Sequence, residues 1–248
     1  MANSIDHIRQ VEVRTPIIIE GLPGVGNIGK LAADLMAKKL NAEVFERVYS
    51  SDLPPQILID EDSVSKPICI ELLHAKTDAG DIIFILGESQ ATTPSGQYDL
   101  TEFLFNEVLR FEPSRIITLG GYGTGELKDN PRLIGVVSDA KLKPELEAAG
   151  VGFYPEEPKG GIVGATALFL TFGQRYSISS MALIGETSGY IIDHRSARHI
   201  IHVLNSLLGI DVDTDDYAEY ADMIDEASRA SIGPGEASED REDLSYIQ

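Results

Sequence analysis

Short runs of Ile, Leu and Val, each followed by a stretch with helical spacing, recur along this chain and restrict what it can fold into. Ile17-Ile18-Ile19 has no polar residue between its members, the mark of a strand buried on both faces. It leads through GLPGVGNIGK into a segment with Ile28, Leu31, Ala32 and Leu35 spaced three and four apart, which reads as a helix. Strand-like runs follow at Val44 to Val48, Gln56 to Ile59, Ile68 to Leu73 and Ile82 to Leu86, with Pro54-Pro55 breaking the chain between two of them. Leu100, Phe103, Leu104, Val108 and Phe111 mark the next helix. Ile116 to Leu119 is a further buried strand, ending in GGYGTG. Leu133 to Val137 and Ser180 to Ile184 are strands; Ala140 to Ala149 and Ala165 to Phe172 are helices.

The segment His194 to Leu208 carries one apolar face of Ala197, Ile200, Ile201, Leu204, Leu207 and Leu208, with Asp193 as its cap and Gly209 as its end. Asp213 then caps a final acidic helix with the seam Tyr217, Tyr220, Ala221 and Ile224. Repeated strand–helix alternation predicts an α/β fold, a three-layer αβα arrangement around a mostly parallel sheet. Residues 1–232 read as a single globular domain and 233–248 as a flexible acidic tail, whose polarity is broken only by Leu244, Tyr246 and Ile247.

Charge narrows the partners. The chain has 248 residues and a formal net charge of -20, which would repel phosphates and anionic lipid. No nucleic-acid or membrane partner is expected. Residues 211–248 hold 13 of the 40 acids, so the excess is spread over the whole chain, as on a surface adapted to high salt. The N-terminal MANSIDHIRQVEVR lacks the apolar region of a signal peptide, and no apolar run is long enough to span a bilayer. The single cysteine, Cys69, lies between Ile68 and Ile70 and reads as a small buried hydrophobe. A reduced, cytoplasmic setting follows.

Three motifs invite chemistry. Gly24-Val25-Gly26-Asn27-Ile28-Gly29 matches GxGxxG between a strand and a helix, and with Lys30 it completes most of a phosphate loop. Leu31 stands where a magnesium-holding Ser or Thr is needed, and Glu43 and Glu46 fall within the next strand rather than at its end. The structural reading, in which Gly21, Gly24, Gly26 and Gly29 allow a tight turn and close packing, therefore outweighs phosphate binding. Gly121, Gly123 and Gly125 form a second permissive loop at a strand end, either a ligand crevice or an interface loop. Gly185-Glu186-Thr187-Ser188-Gly189 resembles a nucleophile elbow with Thr for Ser, but Tyr190-Ile191-Ile192 intervene before the helix. His74, His199 and His202 show no metal-ligand spacing, so neither metal nor cofactor is expected.

Three stretches in this order and spacing resemble the proteasome assembly chaperone family, in particular archaeal relatives of assembly chaperone two. They are GLPGVGNIG followed by KLAADLMAKKL, the central GGYGTG, and GETSGYIIDHRSARHIIHVLNSLLGI. The resemblance spans most of residues 15–210. It implies a phosphorylase/hydrolase-like αβα fold without enzymatic chemistry. It also implies a homo-oligomer that binds proteasome α subunits and promotes ring assembly. Some archaeal members dock on the α-ring through a C-terminal hydrophobic–Tyr–any-residue motif. Here the corresponding residues are Leu244, Tyr246, Ile247 and Gln248, with Tyr246 third from last rather than penultimate. The alternative is a small-molecule enzyme of the same fold, a hydrolase or nucleoside-processing protein, built on the Gly24–Lys30 and Gly121–Gly125 loops.

Overall fold

The apolar runs pair into one eight-stranded sheet. The structure, a computed structural model, describes residues 3–126, 128, 130–215 and 218. In chain order the elements are β1 (Ser4–His7), β2 (Ile17–Gly21), α1 (Ile28–Lys39), β3 (Glu43–Tyr49), β4 (Ile57–Ile59), β5 (Ser65–Pro67), β6 (Ile70–Thr77), β7 (Gly80–Gly87), α2 (Pro94–Leu109), β8 (Arg115–Gly123), β9 (Leu133–Val137), α3 (Lys143–Ala148), α4 (Ala165–Arg175), β10 (Ser179–Thr187) and α5 (His194–Leu208). The sheet order is β1-β3-β6-β7-β2-β8-β10-β9, and β4 and β5 form a separate two-stranded sheet.

The α/β class is as the sequence predicts, and the distribution of parallel pairing is more specific. The central strands β7, β2, β8 and β10 run parallel. The flanks do not: β1–β3, β3–β6, β6–β7 and β9–β10 are antiparallel ladders. The sheet is therefore mixed, with its parallel part confined to the middle.

Period-two alternation sends successive side chains of the central strands to opposite faces. Ile19, Phe84, Ile117, Leu119, Met181 and Leu183 meet α1 and α5 in one core. Ile18, Ile83, Ile85 and Ile116 meet α2 and α4 in the other, with Leu104, Phe105 and Phe169. Because both faces are covered, these strands read as continuous apolar runs.

Helix ends follow local chemistry. Asp193 accepts the Ser196 N–H at 3.0 Å and caps α5, and Gly209 closes it at φ 64°. Thr93 accepts the Gly96 N–H at 3.0 Å, so α2 begins at Pro94, before the first apolar position that marks it in the sequence. Cys69 is half-buried rather than enclosed, and burial pushes its thiol up. Most of the expected final helix, including Tyr217, Tyr220, Ala221 and Ile224, lies outside the described residues, as does the whole of 233–248.

Candidate functional site

The parallel strands place their carboxyl ends together, which is where an open α/β sheet presents ligand crevices. Gly21 ends β2, Gly121 and Gly123 lie in the last residues of β8, and Thr187 ends β10. The connection from β2 folds back over them as a 3-10 turn, Val25–Asn27, in which Asn27 N–H reaches Gly24 O at 2.9 Å.

The glycines differ in what surrounds them. A Cβ on Gly29 would lie 2.3 Å from Leu119 O, and one on Gly21 would lie 2.3 Å from Ala33 Cβ. A Cβ on Gly121 would meet Val25 O at 2.0 Å. These three let α1 and its leading turn rest directly on strand backbone. Gly26 adopts φ 66°, with the Thr187 side chain 3.1 Å from where its Cβ would be. In a dinucleotide loop the second glycine leaves room for pyrophosphate; at Gly26 that room holds Thr187. Gly123 and Gly189 face each other beneath Val25, while Gly24 and Gly125 have open space around them.

Lys30, the potential phosphate lysine, is committed elsewhere. Its Nζ donates to Asp34 at 2.6 Å and to Glu88 at 2.9 Å. Burial alone would lower its pKa, but the two carboxylates outweigh this and raise it. Thr187 Oγ1 accepts the Gly189 N–H at 3.3 Å, and Asp193 is occupied by Ser196. The elbow-like residues are thus spent on local turns. Calorimetry with ATP, GTP and NAD is expected to show no binding in the micromolar range. Saturable heat from any of them would place an anion where Thr187 and Lys30 now close the loop.

Glu186 and Glu20 are buried glutamates to which the sequence motifs assign no role. Glu186, in β10, accepts Arg132 Nε at 2.9 Å, Arg132 N–H at 3.0 Å and Lys128 Nζ at 3.0 Å. Burial would raise its pKa; these cations and the N–H outweigh burial and hold the carboxyl at about 2. The pairing ties Lys128 and Arg132 to the end of β10 beside a cavity of about 10 Å³, lined by Thr124, Ser188 and Asp193 among others. That is room for about one water molecule.

Glu20, in β2, is fully buried. Its Oε1 accepts the Leu22 N–H at 3.0 Å, and its Oε2 lies 3.2 Å from Thr166 Oγ1 on the first turn of α4. Burial pushes this carboxyl up to about 7 against both hydrogen bonds. Gln90 joins the same elements, donating to Pro23 O at 2.6 Å and accepting the Ala165 N–H at 3.1 Å.

Beside these loops the surface carries exposed apolar side chains. Val25, Tyr190 and Ile192 are exposed directly over the ends of β2, β8 and β10. β3 points the same way as β7, because both run antiparallel to β6. The β4–β5 hairpin that follows β3 therefore leaves from this same end of the sheet, carrying exposed Ile57, Ile59 and Val64. Among the described residues no group of three or more His, Cys, Asp or Glu converges as metal ligands would. No helix among them is long and apolar enough to cross a membrane. Leu244, Tyr246, Ile247 and Gln248, the candidate docking residues, lie outside the described residues.

A model of the PAC2 family matches residues 18–230. An uncharacterized protein of Methanocaldococcus jannaschii is 31% identical over 215 residues, spanning 86% of this chain and 82% of that protein. Among solved structures, Pyrococcus furiosus PbaB, described as an archaeal proteasome activator, superposes with a TM-score of 0.87 at 30% identity and covers 94% of this chain and 99% of that one. Pyrococcus furiosus PbaA, described as an archaeal homolog of proteasome-assembly chaperone, superposes with a TM-score of 0.75 at 29% identity and covers 92% and 96%.

Proposed function

The chain belongs to the PAC2 family, and from that premise we propose that it is a non-catalytic proteasome assembly chaperone that binds α subunits. One observation carries the reading: Gly21, Gly29 and Gly121 are packed against neighbouring backbone and side chains, leaving a strand-end cavity of only about 10 Å³, and beside them a protein of net charge -20 exposes large apolar side chains. Closed loops offer a small molecule little, whereas an exposed apolar cluster marks a surface for another protein. The descriptions of PbaB and PbaA support the choice of partner. A small-molecule enzyme would need a pocket that admits a substrate, and the cavity lined by Glu126, Glu186 and Asp193 holds about 10 Å³, room for about one water molecule. The raised carboxyl, Glu20, is instead sealed beneath the surface.

The mechanism we propose is templating by a homo-oligomer, with the C-terminal residues inserting between α subunits. Gly233 to Asp243 contains no large apolar residue, and Leu244, Tyr246 and Ile247 then follow within a few positions. Tyr246 offers a broad ring and one hydroxyl at low entropic cost. A single tail would bind weakly, and several on one oligomer would gain by effective concentration.

The test is capture of purified α subunits at high salt by the full chain and by a chain lacking Leu244–Gln248. Capture should fall at least tenfold on deletion while the melting temperature stays within about 2 °C. Undiminished capture, or a marked fall in melting temperature, would show that these residues serve the parent fold instead.

A further inference from the structure

Helix α5 departs from the rest of the chain in charge. Acids outnumber Lys and Arg by 40 to 20 overall, yet His194–Leu208 contains no acid. Its Arg195, Arg198, His199 and His202 share one arc, turned away from the residues it buries. Arg195 donates to Lys128 O at 3.2 Å, and His199 donates to the Pro131 backbone. Arg198 differs from both. Among the described residues its Nε is buried and meets no hydrogen-bond acceptor, which is costly for a charged group.

The chain that leaves α5 turns back along the line on which Arg198 lies. Asn205 Nδ2 donates to Val212 O at 3.0 Å, and its Oδ1 accepts the Val212 N–H at 3.1 Å. Arg198 and Asn205 are seven residues apart, about two turns, so both sit on one line of the helix. Beyond this anchor a new helix begins. Asp213 Oδ1 accepts the Asp215 N–H at 2.8 Å, as an N-cap does, and Thr214 O accepts the Ala218 N–H at 3.0 Å. Val212 and Thr214 are both buried, which holds this start against the parent fold.

The register of the anchor aligns opposite charges. With Val212 beside Asn205, equal steps along two antiparallel helices set Asp215 opposite His202, Glu219 opposite Arg198 and Asp222 opposite Arg195. Asp215, Glu219, Asp222 and Glu226 are three and four apart and form one stripe beside Tyr217, Ala221 and Ile224.

We propose that residues 219–229, which lie outside the described residues, dock against α5 of their own chain, with Glu219 paired to Arg198. The occupant is this segment because the connection is short, its course is fixed at Val212, and its acids recur in step with the basic arc. The docking also places the tail. The 15 residues of α5 span about 22 Å, and the same number counted from Asp215 reaches Arg229. Gly233 then emerges at the start of α5, where the Asp193 N–H donates to Gly26 O at 2.9 Å and Tyr190 and Ile192 are exposed. The tail and the exposed apolar side chains face one client. That last use rests on the proposed function; the docking does not.

The experiment is cross-linking of paired cysteines by a short bis-maleimide in the purified full chain, at micromolar concentration, read by peptide mass spectrometry. Arg198→Cys with Glu219→Cys, and separately Arg195→Cys with Asp222→Cys, should each link within one chain. Both should link at least tenfold faster than Tyr98→Cys with Glu219→Cys, which puts one thiol on α2, behind the sheet. Circular dichroism identifies any pair that fails to fold, and either folded pair decides the matter. Rates equal to the α2 control, or no link at all, would overturn the proposal. Links formed only between chains would overturn it too, because the segment would then lie on a second copy. No α subunit is present, so failure of the cross-link is distinct from failure of α-subunit capture.

Discussion

Gly29→Val should yield no folded protein, whereas Gly24→Ala, in the same glycine-rich turn, should fold as the parent does. The difference lies in what each position faces. A side chain at position 29 would penetrate Leu119, meeting its oxygen at 2.3 Å and its carbonyl carbon at 2.6 Å. Leu119 is in β8, a central strand between β2 and β10, and its backbone is held opposite Leu183 of β10, so it has no room to retreat. Helix α1 would have to lift instead, carrying Ile28, Ala32, Ala33 and Met36 out of a core in which all four are fully buried. Overpacking alone costs about 1–3 kcal/mol. Lifting a helix adds the loss of its apolar burial, and the sum approaches the roughly 5–15 kcal/mol that holds a domain together. Gly24 has nothing within contact distance of its Cβ position and an extended φ of -155°. Alanine there should change stability by no more than about 1 kcal/mol, with a small gain from a stiffer unfolded chain. Urea denaturation followed by circular dichroism measures both. A stably folded Gly29→Val protein would mean that α1 does not rest directly on β8. An unfolded Gly24→Ala protein would return the motif to a role in which each glycine is needed.

The same contrast separates what composition encodes from what only tertiary contact decides. The central strands are legible because burial on both faces forces uninterrupted apolar runs. Helix α5 is legible because its periodic face lies between a capping Asp193 and a terminating Gly209. Direction is not encoded in a strand's composition, and so Ile70–Thr77 gives no sign that it runs antiparallel to both neighbours. Strand β1 leaves no pattern of its own because an edge strand needs only one side chain for the core, here Ile5. Its pairing with Arg47, Val48 and Tyr49 is a long-range fact. Of the expected strand Gln56–Ile59, Ile57–Ile59 does form one, but in a hairpin outside the main sheet, where its apolar character serves no core of this protomer.

At the site, Leu31 carries no hydroxyl, and that residue alone argues against a phosphate loop. The commitment of Lys30 to Glu88 is not legible in the same way, because it joins residues far apart in the chain. Glu20 does leave a signal, an acid at the end of the apolar run Ile17-Ile18-Ile19. Its protonation state still depends on Thr166 and on the absence of a paired cation from its hydrogen bonds.

Glu20→Gln should stabilise the protein at pH 8, and Arg132→Ala should destabilise it at pH 7, because the Glu20 and Glu186 carboxyls are shifted in opposite directions. The Glu20 carboxyl stands at about 7 when folded, against an ordinary 4.5. Between those values the folded state holds a proton that the unfolded chain has released, so stability falls as pH rises through this window. Above it the folded protein carries a buried charge, at a cost of about 3 kcal/mol at most. Glutamine keeps the Leu22 contact through its oxygen and offers its amide to Thr166. It should therefore remove most of that fall, leaving the variant about 1–3 kcal/mol more stable than the parent at pH 8. Glu186 behaves in the reverse sense. Its folded value of about 2 lies below the ordinary 4.5, so its contribution is complete above that ordinary value and is lost as pH drops toward 2. Arg132→Ala leaves a buried carboxylate with Lys128 and a backbone N–H, and should cost about 3 kcal/mol at pH 7. Urea midpoints for the parent and both variants, taken from pH 3 to pH 8.5, separate the windows. Parallel parent and Glu20→Gln profiles above pH 5 would show that Glu20 is ionised at little cost, as it would be if water reached it. An Arg132→Ala protein as stable as the parent at pH 7 would show that Lys128 alone satisfies Glu186.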